Sequence, residues 1–269
     1  MVGTASGLLT KAHAAPAQKT ETSSTVSATV PSNKIETMER EQPLAYTSAE
    51  ASRYFVNQPG SDFMVDTIKS LNIDYLASNP GSSFRGLHES IVNYGGNNKP
   101  EFLTCLHEES SVAMGHGYAK AAGKPLAVAC HGTVGLQHAS MAIYNAWCDR
   151  APVIVLAGNH LDAAERKPPV EWAHSVQDAA SIVRDFSKWD DTPASLQHFA
   201  ESMVRAYKIA TTPPMGPVVL VLDAGLQEHT MGNASPKIPA MSPTIPPQGE
   251  AGAIEEAAGW VLEAEPPLI

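Results

Sequence analysis

Between residues 54 and 223, short apolar runs recur along the chain, separated by longer stretches with helical periodicity. The runs at 73–77, 102–106, 126–130, 153–157 and 218–222 carry Val, Ile, Leu and Ala with little polar alternation, and a weaker one lies at 186–189. Strands that are apolar on both faces belong inside a parallel sheet covered on both sides, whereas a half-solvated sheet would alternate. The intervening stretches predict helices at 62–71, 84–94, 108–122, 135–147, 176–184 and 195–211. Regular alternation of the two kinds gives an α/β domain of three layers, with a central parallel sheet of about six strands and helices on both faces.

The flanks read differently. Residues 1–45 are rich in Thr, Ser, Pro, Lys and Glu and hold few apolar clusters, so burial there cannot repay the entropy of ordering. This stretch is expected to be a disordered tail; Ala12-His13-Ala14-Ala15 has the A-x-A shape of an export cleavage site but lacks a basic leader and a full apolar stretch. Cytoplasmic residence is the default expectation, with a signal remnant as the alternative. Pro236, Pro239, Pro243, Pro246 and Pro247 make 231–250 a linker. After it, 251–264 has Ile254, Ala258, Val261 and Leu262 on one helical face. One helix cannot build a core, so 251–269 is expected to be the start of a truncated second domain, leaving 46–230 as the folded unit.

A net charge of −10, with no cluster of Lys and Arg, argues against a nucleic-acid partner, and no apolar run reaches membrane-spanning length. Cys105, Cys130 and Cys148 are widely spaced within or beside apolar runs, which predicts buried, reduced thiols.

Ligands of open parallel sheets sit beyond the carboxyl ends of the strands, and polar residues collect there in this chain. Asn79-Pro80-Gly81-Ser82-Ser83 follows the first strand, His107-Glu108-Glu109 the second, His131-Gly132-Thr133-Val134-Gly135 the third and Gly158-Asn159-His160 the fourth. The turn Asn79 to Ser82, the run from Glu108 through Gly117-Tyr118-Ala119 to Gly123-Lys124-Pro125, and the stretch from Asn145-Ala146-Trp147 to Ala157-Gly158 resemble the N-terminal, pyrimidine-binding domain of thiamine diphosphate-dependent enzymes. The benzoylformate decarboxylase and acetolactate synthase branch is the nearest in pattern. The resemblance spans about residues 54–229, and the linker with residues 251–269 resembles the entry to that family's central domain.

The resemblance implies thiamine diphosphate as cofactor, with Glu108, Pro80 and Gly81 contacting it. The carboxyl matching Glu108 hydrogen-bonds a ring nitrogen of the aminopyrimidine and promotes the imino tautomer, whose amine takes the proton from the thiazolium carbon. Such proton sharing needs a dry pocket, for which Val112, Ala113 and Met114 on the next turn are candidates. Read without the resemblance, Glu108 is an acid favoured at a helix N-terminus, and Glu109 is its one-residue rival. His131 matches a histidine that transfers protons beside the cofactor; alone it reads as a core histidine bonded to a carbonyl. Ser82 matches a serine that contacts the substrate carboxylate, and Ser82 or Ser83 also reads as a helix cap. Residues 132–137 depart from the glycine- and asparagine-containing forms of the family, which leaves the substrate open. Gln137 and His138 either reach the same rim or lie on the helix surface.

The expected function is therefore cofactor binding and activation as the N-terminal part of a 2-oxo acid decarboxylase or acetolactate synthase-like enzyme. In the family, the diphosphate and its Mg2+ are held by a separate domain of another chain through a Gly-Asp-Gly motif that this sequence lacks. No metal ligand is therefore expected here; a homo-oligomer is expected for the full-length form, and turnover needs the other domain. The alternatives are a subunit of a split enzyme and a non-catalytic nucleotide-binding α/β module. The second lacks the expected glycine fingerprint, since Lys120 stands where the third glycine of Gly115-His116-Gly117 would fall.

Overall fold

The computed structural model describes residues 56–265 except Pro243 and Pro246. The tail expected over 1–45 and the last four residues lie outside the described residues. Helix α1 (Gly60–Ser70) leads into β1 (Tyr75–Ser78), a 3₁₀ turn at Ser82–Phe84, α2 (Arg85–Glu89) and a π turn at Ser90–Tyr94. Then follow β2 (Glu101–Thr104), α3 (Glu108–Ala122), β3 (Leu126–His131), α4 (Thr133–Cys148), β4 (Val153–Asn159) and α5 (Val170–His174). The domain finishes with β5 (Trp189–Asp191), α6 (Leu196–Thr211), β6 (Val218–Asp223) and α7 (Ala224–Glu228); α8 (Ala251–Glu263) stands after the linker.

The six strands form one parallel sheet in the order β2-β1-β3-β4-β6-β5. The expected three-layer architecture is the observed one. Every residue of β3 and β4 is buried, as the unbroken apolar runs require. One face packs Leu76, Ala129, Ile154 and Leu220 with Met64 and Ile68 of α1 and Phe199 and Met203 of α6. The other packs Ala77, Val128, Val155 and Val221 with Val112 and Ala119 of α3 and Leu136 and Ile143 of α4. The strand order reverses between β1 and β3, so the turns leaving those strands diverge and open a crevice at their carboxyl ends.

Three local readings change. The helix expected at 176–184 is replaced by α5 upstream and 3₁₀ turns at Ala180–Ile182 and Arg184–Phe186. Its apolar positions, Ala179, Ala180 and Val183, are buried as the periodicity requires. However, Asp178 accepts from the Ser181 N–H and pairs with Arg184, and the backbone settles on i→i+3 bonds. The helix expected at 84–94 widens into a π turn after Glu89, where Gly95 donates to Ser90 and Asn97 to Ile91. Cys105 and Cys130 are buried, but Cys148, on the last turn of α4, is exposed. Residues 231–250 form no helix or strand in their described part, and α8 buries no residue, leaving Trp260 and Leu262 exposed.

Backbone packing at the crevice is tight. A Cβ on Gly132 would stand 2.1 Å from the Gly158 carbonyl oxygen, and one on Gly158 would stand 2.3 Å from that of Ser83. Only glycines let the turns after β1 and β3 close on the end of β4. Gly158→Ala should therefore lower unfolding free energy by at least about 2 kcal/mol. A urea-denaturation midpoint equal to wild type would show that the turn yields without cost.

Candidate functional site

Glu108 is the first residue of α3, where the helix dipole favours a negative group. His107 caps that helix: its Nδ1 accepts from the Glu109 N–H at 3.2 Å. The cap turns the chain so that Glu108 points inward and Glu109 outward; Glu108 is 6% exposed, whereas Glu109 is on the surface. This separates the two rivals that the sequence left one residue apart. Among the described residues, none donates a hydrogen bond to the Glu108 carboxylate. Buried carboxylates normally have such donors, so this one has acceptor capacity in hand.

The walls around it differ from those expected. Val112 is buried, but Ala113 and Met114 face outward. The nearby surface comes instead from β3 and α4. A Cβ on Gly135 would stand 3.1 Å from Glu108 Oε1, and the charge of Glu108 adds to burial in pushing the Cys130 thiol far up. Gly135 thus lets the start of α4 pack close to the carboxylate, where a side chain would crowd it.

His131 ends β3 and is 8% exposed. Its Nδ1 lies 3.3 Å from Ser83 Oγ, and its Nε2 lies 3.4 Å from Ser82 Oγ and 3.3 Å from His174 Nδ1. Gly81 packs on the same ring, since a Cβ there would stand 3.0 Å from His131 Cδ2. Pro80 is exposed at the mouth of this turn. The structure therefore brings Ser82, Gly81 and His131 together, with Glu108 on the adjoining helix end, across the crevice between β1 and β3.

Several neighbours carried no local signal. His174 reaches His131 from α5, which is tied down by the buried Glu171: its carboxylate accepts from the Lys167 N–H at 2.6 Å and from Arg85 at 3.1 Å. Thr133 Oγ1 donates to the His174 carbonyl at 2.6 Å. Buried His160 lies 3.7 Å from Glu171 through Nδ1, and its Nε2 has no hydrogen-bond partner among the described residues. Beside it, Arg85, Lys167, Glu165, Asp223 and His229 line a cavity of about 330 Å³. His107 and His138 meet at 2.6 Å, Nε2 to Nδ1. An N-cap reading of the residue before α3 would have found His107; the others arrive through long-range packing.

Residues 58–182 match the family described as "Thiamine pyrophosphate enzyme, N-terminal TPP binding domain". Over these residues the α/β domain is similar to this family. Benzoylformate decarboxylase of Pseudomonas aeruginosa is 29% identical over 144 residues, which are 50% of this chain and 27% of that protein. The mitochondrial acetolactate synthase catalytic subunit of Saccharomyces cerevisiae is 25% identical over 182 residues, 68% of this chain and 26% of that protein. The crystal structure of benzoylformate decarboxylase from Polynucleobacter necessarius superposes with a TM-score of 0.64 at 22% identity, over 78% of this chain and 37% of that one, and so shares the fold. The chain spans about a quarter of the length of these curated relatives.

Burial, with the nearby His174 and His160 adding to it and Glu108 opposing, pushes the His131 imidazole down to about 4 from an ordinary 6.5. The unfolded chain takes up this proton near 6.5, while the folded chain waits until about 4. His131 thus supports the fold fully above that window, and its contribution is lost as pH falls through it. His131→Asn should flatten the stability loss between pH 7 and pH 4, measured by urea melts. Ring NMR of the wild type should show His131 neutral at pH 5.5; a protonated ring there would overturn the reading.

Proposed function

We propose that this domain binds the pyrimidine half of thiamine diphosphate through Glu108 and activates it. The reaction would be a 2-oxo acid decarboxylation or an acetolactate synthase-like condensation. One observation carries the reading: Glu108 is buried at the start of α3 and receives no hydrogen bond from the described residues. A protonated ring nitrogen is the partner such a carboxylate lacks.

The residues present fit the cofactor's pyrimidine. Glu108 would hold its ring nitrogen, and Pro80 and Gly81 would line the turn beside it. When bound, thiamine diphosphate supplies an acidic thiazolium carbon and an electron sink for the bond to the departing carboxylate. Glu108 would hold a proton on that ring nitrogen, which a buried carboxylate does better than one in water. His131, neutral at neutral pH, would exchange protons beside the cofactor, and Ser82 Oγ, 3.4 Å from its Nε2, would hold a substrate carboxylate. The diphosphate and Mg2+ belong to a second domain in this proposal, supplied by another chain of a homo-oligomer. Pyruvate and benzoylformate are the substrates to try, after the two relatives' names.

In a preparation completed with a diphosphate-binding domain, Glu108→Gln should slow deuterium exchange at the thiazolium carbon by at least about 100-fold, and Glu109→Gln by no more than about twofold. With the chain alone, thiamine diphosphate should shift the amide resonances of Glu108, Gly135 and Gly81, and Glu108→Gln should abolish those shifts. Equal exchange in wild type and Glu108→Gln would defeat the assignment.

A further inference from the structure

We infer that His107, Glu108 and His138 form a binding site for one late first-row divalent cation such as Zn2+ or Co2+. One ligand atom from each lies within 4.8 Å of the other two. His107 is the cap of α3 and Glu108 its first residue, while His138 stands on the second turn of α4, which packs beside α3 on the same sheet face. The three side chains come from two elements anchored in the core, so chelation does not have to order a loop.

Each donor has a reason to accept a cation. Glu108 is more than nine-tenths buried and receives no hydrogen bond from the described residues. The two imidazoles face each other nitrogen to nitrogen at 2.6 Å, a contact that requires a proton between them. His107 Nδ1 accepts from the Glu109 N–H, so its Nε2 carries that proton when the ring is neutral. Coordination through Nε2 moves this proton to His107 Nδ1 by way of solvent, with no net release, and His107 gives up the long, exposed cap bond. The nitrogens must also part to roughly 3.4 Å, the spacing of two ligands on a tetrahedral ion with bonds near 2.1 Å. His138 is exposed, so that move displaces solvent rather than core packing.

Two imidazoles and one carboxylate are a donor set for Zn2+, Co2+ or Ni2+ and not for Mg2+, which prefers oxygen and water. Three protein ligands leave one position open towards the crevice. Occupation takes the carboxylate that the thiamine proposal needs, so the ion would exclude the pyrimidine. Metal binding itself does not rest on that proposal, and either can fail without the other.

The test is a titration of the full chain with Co2+, followed by visible absorption and by calorimetry, with Zn2+ as competitor. We expect one ion per chain, absorption of tetrahedral intensity, and displacement by Zn2+. His138→Asn and Glu108→Gln should each weaken binding at least about tenfold, while His131→Asn should leave it unchanged. The His138 variant keeps its fold, checked by circular dichroism, because that side chain is exposed. No tetrahedral absorption at saturating Co2+ would overturn the site. So would absorption that survives His138→Asn or disappears in His131→Asn, which would move the ion to the His131–His174 pair.

Discussion

The candidate site depends on three backbone segments approaching closer than side chains allow. The Ser83 carbonyl, on the turn after β1, rests against Gly158 at the end of β4, and the Gly158 carbonyl rests against Gly132, at the start of α4. These contacts span the point where the strand order reverses. In an open parallel sheet that point is where turns diverge, and without filling it would stay a wide cleft. Here two glycines draw the turns inward and set Ser82 and Ser83 against His131. The buried start of α3, with Glu108, borders this junction.

Within that frame, opposite solutions to burial stand side by side. His131 is relieved of its charge, since burial and the neighbouring His174 both oppose protonation. Glu108 lies at the N-terminus of α3, whose dipole favours its charge, but has no donor from the described residues. Folding alone would favour a satisfied acid or an apolar residue there. A polar group left short of partners in an otherwise well-bonded domain is where a ligand has most to offer, because binding recovers what folding left unmet. Buried His160 Nε2 also has no hydrogen-bond partner among the described residues, and it borders the cavity lined by Glu165 and Asp223.

The fold was legible because the signal lay in runs of several residues. Unbroken apolar stretches at 126–131 and 153–159 fixed the buried strands, and Gly123 in the left-handed region ended α3 where the periodicity stopped. The region 176–184 misled because burial at i, i+3, i+4 and i+7 can be met by successive 3₁₀ turns as well as by a helix, once Asp178 captures the backbone. The site was legible where its residues follow strands directly, as Ser82, Glu108 and His131 do. It was not legible where a residue arrives by long-range packing: His174 is set by Glu171 and Arg85, which are 86 positions apart in sequence. The pocket walls were misread for a related reason. The next turn of the same helix was the nearest sequence to Glu108, but α3 turns Ala113 and Met114 outward and leaves the wall to β3 and α4.

Residues 132–137, which depart from the pattern of the resembled family, lead into α4, and Gly135 among them packs close to the Glu108 carboxylate. Next to them His138 brings an imidazole to within hydrogen-bonding distance of His107, which caps the helix that carries Glu108. A neutral amide at that position could only donate or accept hydrogen bonds, whereas an imidazole adds a titratable lone pair. In the two proposals the carboxylate has chemically distinct partners, a protonated ring entering beside β3 and a cation held from the rim. Their geometric demands differ: the ring would leave the histidine pair at its 2.6 Å contact, and the cation would require the pair to open.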